Sequence, residues 1–162
     1  MSSTGVGYAA AVALAAIFAI AAVAKLRDVA ATERDFIGLG LPRASFFARF
    51  VPLVELSIVA LLLIVPAVGA IAALVALAFF TTFLIGRLRA GVRAPCACFG
   101  SSRAQPISAL DVIRNLLLMA LAIVSLASDR PTKISAIDAL VVAAVIVVAG
   151  SALHLAGRVR SR

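Results

Sequence analysis

Residues 50–86 read FVPLVELSIVALLLIVPAVGAIAALVALAFFTTFLIG and carry a single ionisable side chain, Glu55. A helix crosses the hydrocarbon core of a bilayer with about 20 mostly apolar residues. This stretch is therefore long enough for two passes, which we place at Phe50–Val68 and Ala70–Gly86. Working outward, Val6–Ala24 forms a similar segment on one side, and Ile107–Ala127 and Ile137–Leu155 follow on the other. The expected fold class is all-α: a polytopic membrane protein with an antiparallel four-helix transmembrane bundle in 1–128, then a fifth transmembrane helix and a basic tail in 129–162. The composition agrees. At 64% hydrophobic and 14% charged, the chain has more apolar surface than a soluble fold of 162 residues can hide. A bilayer removes the difficulty, because helices satisfy their own backbone groups in lipid.

The first segment differs from a secretory signal. No basic region precedes it, and Lys25 and Arg27 follow it, so we expect a retained helix. The net charge of +8 does not indicate nucleic-acid binding, since no basic face with interleaved aromatics is present. The basic residues read instead as loop anchors. With five spans, thirteen of the fifteen Lys and Arg residues fall on one side, and only Arg130 and Lys133 on the other. That bias predicts an external N-terminus, with the loop around residues 94–100 and the C-terminus in the cytoplasm of a bacterial cell, across its inner membrane.

The connection at residues 24–49 is richer than a linker. Thr32 and Asp35 resemble a capping arrangement before the apolar Phe36, Ile37 and Leu39, and Gly38, Gly40 and Pro42 break the segment. It reads as an extension of the first helix plus a piece lying at the membrane interface.

Both cysteines lie in Ala94-Pro95-Cys96-Ala97-Cys98-Phe99-Gly100. A disulfide between thiols this close sits in a small strained ring, and strain makes it easier to reduce. The loop it closes is too short for a useful structural staple. These properties suit electron exchange. Two alternatives stay open at this point: a metal shared with another chain, or two unreactive buried thiols. Within the chain a metal site lacks ligands, because the one histidine, His154, lies in another span. Haem attachment lacks its Cys-x-x-Cys-His pattern.

Ionisable residues inside spans are costly and tend to mark function. Glu55, Arg114, Asn115 and Asp111 fall at one depth, together with Lys25 at the end of the first helix, on the side that carries the cysteines. A basic neighbour lowers a thiol pKa, and Glu55 can accept or relay a proton. Structural roles compete. Asp111 and Arg114 are spaced to pair on one helix face, Ser108 and Asp111 fit a capping box, and Glu55 can pair with Lys25.

The Cys96-Ala97-Cys98-Phe99-Gly100 element, followed by Ser108-x-x-Asp111-x-x-Arg114-Asn115 opening a helix, resembles the methylamine-utilisation MauE family, among the DoxX-like redox-associated membrane proteins. Lys25-Leu26, Leu41-Pro42 and Glu55 sit where that family carries such residues, and the match covers about residues 5–127. The resemblance implies a redox-linked four-helix bundle that assists maturation of a disulfide-rich dehydrogenase beside a thioredoxin-like protein. It implies Cys96 and Cys98 as the redox pair, with Glu55, Arg114 and Asn115 as polar surroundings. Such maturation takes place outside the membrane, whereas the charge bias puts the cysteines inside. An electron path to or from a quinone, or a second protein, would join the two sides. The expectation is a thiol–disulfide component whose partners are the lipid bilayer, a thioredoxin-like protein and a second copy of the chain. The rival is a non-enzymatic membrane scaffold, with the cysteines structural or metal-binding.

Overall fold

The structure is a computed structural model that describes residues 3–94 and 106–127, with side chains from residue 5. Its elements are α1 (Ser3–Arg27), α2 (Val29–Gly38), α3 (Ala44–Ile64), α4 (Pro66–Arg89) and α5 (Ala109–Ala127). All but α2 are long and apolar enough to cross a membrane. The chain is a multi-pass membrane protein of the all-α class. Both Cys96 and Cys98, and the fifth span expected at residues 137–155, lie outside the described residues.

The four long helices pack as a ring. Helix α1 lies against α3 and α5, α4 lies against α3 and α5, and α1 barely meets α4 across the diagonal. Its upper core is built from Ala11, Leu14, Ala15, Ile58, Leu62, Ala70, Ala73 and Ala122, all buried. Small residues suit this task, because helices in lipid associate by close van der Waals contact. Large apolar residues point the other way: Ile64 is 77% exposed and Phe79 74%, as expected where lipid is the solvent.

The turn between α3 and α4 falls earlier than the sequence suggested. Residue Val65 leaves the helix (φ −133°, ψ 77°) and Pro66 opens α4. Proline disfavours helical geometry in the residue before it, and its missing N–H costs nothing at a helix start. So α3 runs from Ala44 rather than Phe50, and α4 has 24 residues rather than the short span expected. Near the turn the helices touch backbone to backbone: a Cβ added to Gly69 would lie 2.3 Å from the Leu62 nitrogen. We expect Gly69→Ala to cost about 1–3 kcal/mol, read as a lower unfolding midpoint in detergent. Residue Gly86 has nothing within 4 Å of an added Cβ, so Gly86→Ala serves as the neutral control. Equal midpoints for the two variants would mean that α3 and α4 part freely at this end.

At the opposite end, α2 folds back against α3. Its cap is Asp28, whose carboxylate accepts from the Ala31 N–H at 2.9 Å, and not Thr32. The Thr32 hydroxyl donates instead to the carbonyls of Asp28 (3.1 Å) and Lys25 (3.3 Å), tying α2 to the end of α1. A second core cluster, including Phe36, Leu39, Ala44, Ala48, Leu84, Ala94 and Ile107, fills this end. The connection after α2 is pinned to α4. Residue Gly40 adopts φ +71° and its carbonyl accepts from Arg87 at 3.1 Å, while the same guanidinium lies 5.1 Å from the Phe83 ring centroid.

Candidate functional site

Two charges are buried together between α1 and α3. The Lys25 Nζ donates to Glu55 Oε1 at 2.7 Å, with side chains 1% and 14% exposed. The pairing follows from geometry: α1 ends at Arg27 against the middle of α3, which sets the buried Lys25 ammonium beside the Glu55 carboxylate. An isolated charge in such surroundings is costly, and a close partner offsets much of that cost. The second oxygen, Glu55 Oε2, is buried without a hydrogen-bond partner.

Helix α5 brings the remaining polar residues. The Asp111 carboxylate accepts from the Ser108 N–H at 2.9 Å and from its hydroxyl at 3.2 Å. This is the returning half of a capping box, and it fixes the start of α5. Residue Arg114 lies 3.3 Å from Asp111 on the same helix face, so those two residues form the i,i+3 pair that their spacing allowed. Residue Asn115 points inward, 4% exposed, and its Nδ2 has no hydrogen-bond partner.

Glu55 and Asn115 share a cavity of about 780 Å³. Closed at Gly69, α3 and α4 stand apart farther along, and the cavity lies between them, backed by α1 and α5. Aromatic rings from four helices wall it, among them Phe18, Phe36, Phe47, Phe50, Phe80 and Phe83. Its rim reaches the outer surface at Phe50 and Phe79, both exposed. The sequence reading missed this cavity. The clustering of Phe46, Phe47 and Phe50 near the start of α3, and of Phe79, Phe80 and Phe83 near the end of α4, was the signal for it.

The cysteine segment begins and ends at this end of the bundle. The Ile107 N–H donates to the Ala94 carbonyl at 2.9 Å, and both residues are buried in the lower core. That bond joins the described chain on the two sides of residues 95–105. Of the expected site residues, Glu55 and Asn115 meet at the cavity, Lys25 reaches it through Glu55, and Arg114 stands with Asp111. Residue Asp35, on α2 beside this end, is buried enough that desolvation pushes its carboxyl above the ordinary value. Its neighbour Arg34 opposes that shift and Asp28 adds to it. No cluster of metal-ligating side chains occurs among the described residues.

The family described as methylamine utilisation protein MauE matches residues 3–128. A protein of Paracoccus denitrificans named methylamine utilization protein MauE is 36% identical over 130 residues, covering 76% of this chain and 69% of that relative. No solved structure matches.

Proposed function

The chain belongs to the methylamine utilisation protein MauE family, and from that premise we propose that it is a membrane thiol–disulfide component working through Cys96 and Cys98. It assists maturation of a partner protein, or passes electrons between a thioredoxin-like protein and the membrane. The observation that carries the reading is the pairing of both thiols of the chain within three residues, on a segment whose ends are tied together by the Ile107–Ala94 hydrogen bond.

The exchange runs through a mixed disulfide. One cysteine attacks a partner disulfide as thiolate, forming an S–S bond to the partner and releasing a partner thiolate, which takes up a proton. The second cysteine then attacks the first, closing the Cys96–Cys98 bond and freeing the second partner thiol. Two electrons pass to the partner, and two protons leave the dithiol. In the reverse direction the strained Cys96–Cys98 ring oxidises a partner dithiol. In this reading Glu55, Arg114 and Asn115 are the polar surroundings of the pair, and Glu55 accepts a proton released during exchange. The four-helix unit of residues 1–128 acts with a fifth span beyond it. The N-terminus is outside and the cysteine loop faces the cytoplasm of the bacterial inner membrane.

The test is thiol trapping in native membranes with a membrane-impermeant alkylating reagent applied from each side. A reversible disulfide whose reduced form is labelled only from the cytoplasmic side is the expected result. Thiols that stay reduced under mild oxidants would remove the redox role. Labelling from the outside alone would reverse the topology.

A further inference from the structure

The cavity between α3 and α4 has a chemistry of its own. Its lining is apolar apart from Glu55 and Asn115. Its volume of about 780 Å³ falls in the usual range for small-molecule sites, roughly 300–1,000 Å³. Inside it, Glu55 Oε2 is an acceptor and Asn115 Nδ2 a donor, and neither has a hydrogen-bond partner. A buried polar atom without a partner carries the full desolvation cost of its group. An acyl chain filling the cavity would leave both costs in place.

We propose that this cavity binds the headgroup of a prenylated quinone or its quinol. Such a ring is flat and apolar, and stacks or packs edge-on against the phenylalanine walls. Its oxygens match the two polar groups: a quinone carbonyl accepts from Asn115, and a quinol hydroxyl donates to Glu55 Oε2. The rim at Phe50 and Phe79 lies on the lipid-facing surface of two spans, so the prenyl tail leaves directly into the bilayer. The choice of an electron-carrying ring rests on the dithiol reading above. A dithiol oxidised to a disulfide gives up two electrons and two protons, which is what converts a quinone to a quinol.

The experiment is equilibrium binding of decylubiquinone to the full chain in phosphatidylcholine nanodiscs, with n-decanol as the tail without the ring. Decylubiquinone is expected to saturate at one per chain, and Asn115→Leu to weaken it about ten-fold, or about 1.4 kcal/mol. Ala76→Trp places an indole in the cavity and should abolish binding in protein that remains monodisperse. Joint replacement of Cys96 and Cys98 by serine should leave binding intact, which separates this site from the dithiol reading. Trapping that fails while binding persists removes the dithiol alone. Absence of saturable decylubiquinone binding overturns the site. Equal binding of n-decanol, unchanged by Asn115→Leu, also overturns it and makes the cavity an acyl-chain groove.

Discussion

Cys96→Ser and Cys98→Ser should each abolish thiol–disulfide turnover while leaving insertion and folding of the bundle unchanged. Turnover needs both sulfurs, one to form the mixed disulfide and one to resolve it, and serine provides no substitute at neutral pH. The two variants should nevertheless differ. Loss of the resolving cysteine leaves the attacking one bonded to its partner, so one variant should accumulate a covalent adduct that dithiothreitol releases. Non-reducing gels of membranes expressing each variant read this directly. The identity of the trapped protein would also test the thioredoxin-like partner. Turnover that survives in both single variants would remove the dithiol mechanism, and adducts in neither would remove the mixed disulfide.

The second large effect concerns the buried ion pair. Lys25→Met should cost about 3–5 kcal/mol, because it leaves the Glu55 carboxylate buried without its counter-charge. Glu55→Leu should cost a similar amount, because it removes the carboxylate to which the Lys25 ammonium, 1% exposed, donates at 2.7 Å. The double variant Lys25→Met/Glu55→Leu should recover most of the loss, since apolar replacement of a whole buried pair is often close to neutral. Unfolding midpoints of the four proteins in one detergent give the coupling as a double-mutant cycle. Single variants with the parental midpoint would show that water reaches the pair. The double variant also separates the two roles assigned to Glu55. A stable protein that has lost exchange would leave Glu55 with a part in proton handling, whereas retained exchange would make the pair structural.

Some pairings could be read from spacing alone. Asp111 and Arg114 are three residues apart on one helix, so local geometry brings them together whatever surrounds them, and the structure has them in contact. The Ser108–Asp111 contact is equally local. The Lys25–Glu55 pair spans thirty positions. The sequence allowed it as a competing role because two charges buried at one depth favour each other, but contact required α1 to end beside the middle of α3. Thr32 shows the reverse. Its pattern resembled a cap, yet its hydroxyl is taken by the carbonyls of Lys25 and Asp28, because α2 starts immediately where α1 stops.

The sequence by itself determined the class of this protein. Apolar runs of bilayer length leave a chain of 162 residues no other way to bury itself, and backbone hydrogen bonding in lipid makes those runs helices. It also identified the thiol pair and the polar residues of the expected site. Only the tertiary structure decided where the helices turn and what lies between them. The turn at Pro66 and the close approach at Gly69 draw α3 and α4 together at one end, and the phenylalanines farther along hold open a cavity with Glu55 and Asn115 on its wall. Hydropathy is a property of each segment alone, whereas a cavity arises from the angle and register at which segments meet. That is set by side-chain packing across helices far apart in the chain.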